Sequence, residues 1–348
     1  MSHPQVDNRS PFAFEAVFLA DEEARPLFVP IIKATYSIGS NGSLTIADKQ
    51  ISVNLGGEYW GAPETSSYKY EPEGAFAKPA TDVVLIGSAY AQVTGATEVY
   101  AAIRVGPIEK IVRVFGDRYW IKALGAISMT KSAEFERIPL IYERAFGGWD
   151  RSPMDPQKHI FEPRNPVGTG FMPPRGSRED AVRLPNLEDP RFLIKNHCDT
   201  PPPACFGFIS PHWQPRASYA GTYDDAWQKQ RMPLLPLDFN RRFFNAATPG
   251  LIAPGFLRGD EPVILKNITK NGRLSFTLPG VRPPDCRIQL RGRKDHTLKT
   301  QLDTVIINTD ENLLFLLWRS NMVLRTGPQD VVTIEILAED VLVGTVNR

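Results

Sequence analysis

The distribution of proline constrains the fold of this chain more than any other feature of its sequence. Thirteen of the 31 prolines fall between Arg151 and Pro215. Proline lacks a backbone N–H and fixes φ, so it is excluded from central strands and from helix interiors. Aromatic and aliphatic residues remain frequent there, which argues against disorder. We predict an ordered irregular insertion over residues 142–254 that packs its aromatic residues against β structure, with one short helix around Tyr223–Met232.

Alternating apolar and polar residues mark both flanks of this insertion. Phe28–Ile38 (FVPIIKATYSI) alternates clearly, and the Asn41-Gly42 pair that follows suits the positive φ angles of a tight hairpin turn. A second pair, Asn271-Gly272, separates two alternating runs on the other flank. Period two is the pattern of half-buried antiparallel strands. We therefore predict a mainly β fold with little helix.

The apolar runs follow a similar order on the two flanks. Each flank has a hairpin closed by Asn-Gly and then two apolar runs, TDVVLI and AAIRV on one side, DTVII and LLFLLW on the other. Each flank ends on one more alternating run, KIVRVFG or DVVTIEIL. This order predicts two related β-sandwich-like units that form a pseudo-repeat. They would be an N-terminal β unit (1–141) and a C-terminal β unit (255–348), joined by the proline-rich insertion (142–254).

Charge and cysteine content narrow the classes of partner and the compartment. Lys plus Arg total 40 against 39 Asp plus Glu, which leaves a formal net charge of +1. A near-neutral chain gives no bulk electrostatic attraction to nucleic acid or to an anionic membrane. Three cysteines form an odd, sparse set that fits free thiols in a reducing compartment. No secretory pattern opens the sequence, and no run approaches the roughly 18 apolar residues of a membrane helix, so we expect a cytoplasmic protein.

No constellation of catalytic or metal-binding residues stands out in the sequence. A zinc site of His197, Cys198, Cys205 and His212 is disfavoured by its spacing, because the first two are adjacent and no Cys-x-x-Cys occurs. Cys205 with His212 as base is conceivable in a hydrolase or transferase, but no third orienting group can be named. We predict no catalytic residue, no cofactor and no metal, with Cys205 and His212 kept as the enzymatic alternative.

Two stretches concentrate the aromatic and arginine side chains that are favoured in protein interfaces. In YERAFGGWD (Tyr142–Asp150) a Gly-Gly pair indicates a sharp reversal, so a structural corner is the simpler interpretation. Ser210–Phe244 suits either a local core or a docking surface. A third alternative is a carbohydrate-binding β-sandwich, which needs exposed, coplanar aromatic rings over a shallow groove. The candidate protein-binding residues are Arg144, Trp149, Trp213, Tyr219, Trp227, Arg231, Arg241 and Arg242.

Several blocks of the sequence, taken in order, resemble a known family. The blocks are NRSPFA (Asn8–Ala13), KPATDV (Lys78–Val83), GDRYW (Gly116–Trp120), PLxYERAFGG (Pro139–Gly148), NPVGTG (Asn165–Gly170), PNLEDP (Pro185–Pro190), SPHWQPR (Ser210–Arg216), YAGTYDxxW (Tyr219–Trp227) and DTVIINTD (Asp303–Asp310). They run nearly from end to end of the chain. Together they resemble an uncharacterised bacterial family whose genes are similar in context to type VI secretion accessory factors, near spike proteins and toxins.

The resemblance implies a cytoplasmic, non-enzymatic adaptor or chaperone. Such a protein would hold a toxin effector by surface complementarity and promote its loading onto the valine-glycine-repeat spike. The implied partners are therefore a toxin effector protein and a secretion spike protein, with no nucleic acid and no membrane. The resemblance carries over no active site.

Overall fold

The structure is a computed structural model that describes residues 4–123, 126–172 and 181–338. Its strands are β1 (Gln5–Asn8), β2 (Ala13–Ala20), β3 (Pro26–Ile38), β4 (Leu44–Ile46), β5 (Glu58–Tyr59), β6 (Tyr68–Tyr70), β7 (Asp82–Ile86), β8 (Ser88–Tyr90), β9 (Glu98–Val105), β10 (Ile108–Phe115), β11 (Tyr119–Ala123), β12 (Ala126–Met129), β13 (Arg137–Pro139), β14 (Phe146–Gly147), β15 (Trp149–Asp150), β16 (Ile160–Phe161), β17 (Thr169–Gly170), β18 (Ala181–Arg183), β19 (Leu187–Glu188), β20 (Pro262–Lys266), β21 (Arg273–Thr277), β22 (Asp285–Leu290), β23 (His296–Lys299), β24 (Gln301–Asn308), β25 (Leu313–Arg319), β26 (Met322–Val323) and β27 (Val331–Leu337). The helix α1 spans Asp225–Gln230, and short 3₁₀ helices span Tyr142–Arg144, Pro156–Lys158, Arg216–Ala220, Arg241–Phe244 and Pro328–Asp330.

A seven-stranded sheet, here called the main sheet, organises the core. Its strands run in the order β2-β3-β25-β24-β7, and β4 and β26 also pair with β3. β3 is buried along nearly its whole length, including the polar Lys33 and Thr35 at alternate positions, so both of its faces are covered. β24 runs parallel to β7, with Thr304 beside Asp82. The central strands of the main sheet are therefore covered on both faces.

Smaller sheets complete the β structure. A five-stranded sheet has the order β19-β10-β9-β20-β21, a four-stranded sheet β1-β27-β22-β23, and a three-stranded sheet β12-β11-β18. The two-stranded pairs are β13-β8, β14-β17, β15-β16 and β5-β6. One large apolar cluster contains Phe28 of the main sheet, Ile103 of the five-stranded sheet and Ile288 of the four-stranded sheet. These three sheets thus share one core.

The predicted mainly β fold is confirmed, and both Asn-Gly pairs close hairpins, β3-β4 and β20-β21. Strands from the two predicted β units, 1–141 and 255–348, share sheets. β3 pairs with β25 in the main sheet, and β9 pairs with β20 in the five-stranded sheet. Alternation shows that a segment forms a strand, but it does not show which distant strand lies beside it.

The insertion is ordered by burying its aromatic side chains. Its described strands are two or three residues long, as the prolines predict. The predicted helix is confirmed as α1, which begins after Asp224, whose carboxylate accepts a hydrogen bond from Trp227 N at 2.8 Å. Phe206 and Trp213 lie in the shared core. No helix in the described ranges is long and apolar enough to cross a membrane.

Candidate functional site

Several of the blocks that carry the family resemblance meet between β10, β11 and the insertion. Arg118 of GDRYW forms a buried ion pair with Glu188 of PNLEDP. Asn186 of the same block donates to Asp117 at 3.0 Å and accepts from the Arg144 guanidinium at 3.0 Å. Arg144, a predicted binding residue, is therefore engaged in joining three blocks. These contacts hold the insertion onto the β structure, so the blocks have a structural role here.

The Gly147-Gly148 pair of YERAFGGWD forms the sharp corner that the sequence predicts. The side-chain amide of Asn165, from the block NPVGTG, donates to the carbonyls of Tyr142 and Phe146 at 2.8 and 3.0 Å. A Cβ at Gly147 would lie 2.0 Å from the Asn165 carbonyl oxygen. Gly148 has a φ of +112°, which favours glycine. Close packing therefore requires glycine at this corner.

Trp149 lies just beyond the corner, on β15, and is exposed. Its ring stacks on Phe161 of β16, with 4.3 Å between centroids, and the Arg151 guanidinium lies over it at 4.9 Å. Met154, in the loop between the two strands, is fully exposed. Because Trp149 and Phe161 stack on each other, they do not form the coplanar platform that a carbohydrate-binding surface needs. They form a small apolar patch instead.

Cys205, the nucleophile of the enzymatic alternative, is fully buried. Its Sγ lies 3.2 Å from the Leu140 carbonyl oxygen, and burial raises the pKa of the thiol to about 12. A reactive cysteine requires the opposite environment, one that stabilises the thiolate. His212 is exposed, and within the described part of the chain no group of three or more His, Cys, Asp or Glu side chains could hold a metal ion. The geometry therefore gives no support to thiol catalysis at Cys205.

Arg231 and Arg241, two predicted binding residues, attach the insertion to the turn between β2 and β3. The Arg231 guanidinium binds both carboxylate oxygens of Glu23, at 2.8 and 3.1 Å. The Arg241 guanidinium binds both carboxylate oxygens of Glu22, at 2.6 and 3.1 Å. Hydrogen bonds from Arg241 hold the pKa of Glu22 below its usual value. We call these two bidentate pairs the arginine brace.

The brace supports a loop that carries α1, here called the α1 loop (221–239). The ends of the loop are joined, because Thr222 donates to the Asp238 carboxylate from its backbone N–H at 2.9 Å and from its hydroxyl at 2.7 Å. Trp227 is half-buried at its centre and donates from Nε1 to the Leu234 carbonyl at 2.8 Å. A tryptophan held by its own loop stiffens the surface around it.

The α1 loop exposes large apolar side chains around Trp227. Tyr223 is 53% exposed, Met232 60% and Leu237 85%. The Tyr223 ring meets the Trp227 ring edge to face at 4.7 Å. Leu237 and Trp227 line one open cavity of about 440 Å³, together with Arg231. We call Tyr223, Trp227, Met232 and Leu237 the α1-loop patch.

Tyr219 and Arg242 line a separate groove of about 400 Å³ between parts of the insertion and the segment that precedes β7. The groove also contains Arg216, a buried residue that pairs with the buried Glu71 and donates to the Phe243 carbonyl at 2.7 Å. Arg242 is exposed, and its guanidinium has no partner among the residues that the structure describes. This groove therefore offers one unpaired cation beside an aromatic ring.

The eight predicted binding residues do not form one surface. Trp213 is buried and meets Tyr142 edge to face at 5.3 Å, so it presents no ring face to a partner, contrary to its prediction as a docking residue. Arg144, Arg231 and Arg241 are engaged within the chain, whereas Trp149, Trp227, Tyr219 and Arg242 lie on three different parts of the surface. Sequence reasoning missed Met232 and Leu237, although both stand beside prolines in MPLLPLD, where a loop is the natural interpretation.

The chain belongs to a bacterial protein family. The family model described as "Uncharacterized protein conserved in bacteria (DUF2169)" matches residues 23–319, which is most of the sequence. Neither the curated proteins nor the solved structures contain a significant match to the chain. The family assignment confirms the resemblance to an uncharacterised bacterial family.

Proposed function

We propose that this member of the DUF2169 family is a non-enzymatic, cytoplasmic adaptor or chaperone for a type VI secretion toxin. It binds the effector and promotes its loading onto the valine-glycine-repeat spike. The nearly end-to-end series of sequence blocks supports this proposal, because the genes of the family that they resemble lie near toxins and spike proteins. Such a protein acts by binding its partners, so it requires no catalytic group.

The α1-loop patch is the observation that carries the proposal. Tyr223, Met232 and Leu237 are all more than half exposed, within 15 residues of the chain. Burying a large apolar side chain completely contributes about 1.5–3 kcal/mol, so three such side chains supply a useful part of a binding energy. The charged residues Asp224, Arg231 and Asp238 line the same cavity as Trp227 and Leu237 of the patch. An apolar centre with a polar rim is typical of a protein interface.

The arginine brace makes this patch suitable for binding. Two bidentate Arg–Glu pairs and the Thr222–Asp238 hydrogen bonds restrict the α1 loop before any partner arrives. A loop that is already ordered loses less conformational entropy on association, which increases affinity. The same arginines that the sequence suggested as contacts thus contribute by positioning the patch.

Affinity capture from the native cytosol, with the secretion genes expressed, tests the proposal. The bait is the full-length protein, and the double variant Met232→Asp/Leu237→Asp is compared with wild type. Val93→Asp is a matched control, because Val93 is also well exposed but lies in the loop between β8 and β9. We expect wild type and Val93→Asp to retain a toxin together with a spike component, identified by mass spectrometry, and the double variant to lose both.

Two results would count against this account, and they are distinguishable. If wild type retains neither a toxin nor a spike component, the adaptor function is wrong. If the double variant retains both as well as wild type does, the function stands and the α1-loop patch is not the binding surface.

A further inference from the structure

A small cavity lies where the blocks SPHWQPR, PNLEDP and PLxYERAFGG approach β10. Its volume is about 140 Å³. Lys110 of β10, Tyr142 and Gln214 contribute polar groups to its lining, and much of the remaining wall is apolar, formed by Ile209 and four prolines. A cavity of this size accommodates a short organic molecule rather than a nucleotide or a folded chain.

The Lys110 ammonium lies in this lining and contacts neutral acceptors instead of a carboxylate. It donates to the Pro249 carbonyl at 2.7 Å and lies 3.4 Å from the Thr248 hydroxyl, which are both neutral acceptors. It forms no ion pair with any residue in the described ranges. Lys110 is half-buried, and this partial removal of its ammonium from water without a paired carboxylate lowers its pKa. An anion beside Lys110 would offset that cost.

The other charged groups around the cavity are already paired. Arg191 binds both carboxylate oxygens of Asp189, at 2.6 and 2.9 Å. Arg164 binds both carboxylate oxygens of Glu162, at 2.6 and 2.8 Å. Among the described residues that line the cavity, the Lys110 ammonium is therefore the charge left without a paired carboxylate, and one positive charge is balanced by a single negative charge. A phosphate group carries about −1.5 to −2 at neutral pH, so a carboxylate matches this site better.

We propose that this cavity binds a carboxylate, with the Lys110 ammonium as its counter-ion and the wall of prolines and Ile209 against its short carbon chain. The carboxylate comes from a free small acid or from the acidic side chain of a bound polypeptide. The Gln214 side chain also lines the cavity and has no hydrogen-bond partner in the part of the chain that the structure describes, so its amide is available to the second carboxylate oxygen. This inference does not depend on the adaptor function.

The proposal predicts a defined coupling between binding and pH. A carboxylate binds the ammonium form of Lys110, so its binding raises the pKa of Lys110, and its affinity is lost as the pH rises through that pKa. The groups that act on Lys110 from neighbouring elements are the Cys205 thiol, the Asp189 carboxylate and the Arg191 guanidinium. Tyr142 and Arg164 also line the cavity. The Cys205 thiol, with its pKa of about 12, stays neutral over the range in which Lys110 is examined.

The test measures the pKa of Lys110 by NMR in full-length protein labelled with ¹³Cε-lysine. The Lys110 signal is assigned by its absence in Lys110→Met, or in Lys110→Arg if the Met variant does not fold. The pH titration is run in sodium propionate and in sodium chloride at equal ionic strength, with the exposed Lys229 as internal control. Propionamide is the neutral control ligand, and N-acetylglutamate amide presents the same carboxylate as a blocked acidic side chain.

We expect propionate, but not propionamide, to raise the pKa of Lys110 and to leave that of Lys229 unchanged. Saturation-transfer NMR of propionate should show an affinity about tenfold weaker or more for Lys110→Met, since a charge-assisted hydrogen bond is lost. A response to both acids assigns the site to acidic side chains as well as free acids, and a response to propionate alone assigns it to free acids. An unchanged Lys110 pKa in both acids, or an equal change at Lys229, would overturn the proposal.

Discussion

Ion pairs hold two regions of this molecule in different ways. Beside the main sheet, the Lys78 ammonium lies 2.7 Å from the Asp82 carboxylate, and both side chains are buried. At the arginine brace, the same kind of contact joins Arg231 to Glu23 at 2.8 Å, but the carboxylate is more than half exposed. Distance alone does not separate the two regions, whereas burial does. A buried pair is costly to break, and an exposed pair exchanges readily with water.

The buried and the exposed ion pairs therefore have different roles in this protein. Lys33–Glu73, Lys78–Asp82 and Arg319–Asp303 are all buried, and all three involve strands of the main sheet or the segment that covers it. They fix the scaffold. The brace orders a surface loop through exposed pairs, which contribute little to the global stability of the fold.

The largest expected effect comes from Lys78→Met, which leaves Asp82 buried without its counter-ion. We expect a loss of about 3–5 kcal/mol in the free energy of unfolding, measured by urea denaturation. Lys158→Met is the control, because its partner Asp155 lies in an exposed pair and a change within about 1 kcal/mol is expected. A loss at Lys78 no larger than at Lys158 would show that burial does not distinguish the two kinds of pair.

The next effect concerns glycine at the corner compared with glycine in an open loop. Gly147→Ala places a Cβ 2.0 Å from the Asn165 carbonyl oxygen, so we expect a loss of about 2–3 kcal/mol from overpacking and strain. Gly250→Ala is the matched control, because φ is positive at both glycines, +153° at Gly147 and +91° at Gly250, but a Cβ at Gly250 would meet no atom within 4 Å. Equal losses in the two variants, by urea denaturation, would show that the backbone angle and not the packing sets the requirement.

A smaller global effect is expected at the brace. Glu22→Gln/Glu23→Gln should change the free energy of unfolding by no more than about 1 kcal/mol, because both pairs are exposed. The same double variant should increase amide hydrogen exchange within the α1 loop and leave β3 unaffected. If exchange in the loop does not change, the brace does not order the patch and the proposed preorganisation is wrong.

The smallest effect is the pH dependence of the same loop. The pKa values of Glu22 and Glu23 are lowered in the folded protein, by hydrogen bonds from Arg241 and Arg231 respectively. Their contribution is therefore fully present above the ordinary glutamate pKa of 4.5 and is lost as the pH falls below it through the lowered values. Hydrogen exchange of the α1 loop, corrected for intrinsic rates, should rise in this acidic range before that of the main sheet does. In Glu22→Gln/Glu23→Gln this early rise should be absent.

Local features of the fold were predictable from the sequence. The Asn41-Gly42 and Asn271-Gly272 hairpins depend on the φ angles of single residues. The helix α1 begins after its N-cap Asp224, whose hydrogen-bond partner Trp227 is only three residues away. The shared sheets were not predictable in this way, since the pairing of β3 with β25 joins residues almost 300 positions apart. Alternation assigns a segment to a strand and its side chains to two faces, but it does not identify the partner strand.

In the candidate site, the sequence did not show which side chains are buried and which are exposed. Trp213 and Trp227 lie in the same aromatic- and arginine-rich stretch, Ser210–Phe244, yet one is in the core and the other belongs to the exposed patch. Residue type gives the preference of tryptophan and arginine for interfaces, but burial is decided by contacts with distant segments. The carboxylates that engage Arg231 and Arg241 lie more than 200 positions earlier in the chain, so sequence reasoning left these arginines free.

Site-specific photo-crosslinking shows whether the α1-loop patch contacts the effector. A photoreactive phenylalanine analogue replaces Leu237 in one sample and Val93 in another, in cells that express the secretion genes, and crosslinked products are identified by mass spectrometry. We expect a covalent product with a toxin effector at position 237 and none at position 93. A toxin crosslinked at position 93 and not at 237 would contradict this expectation.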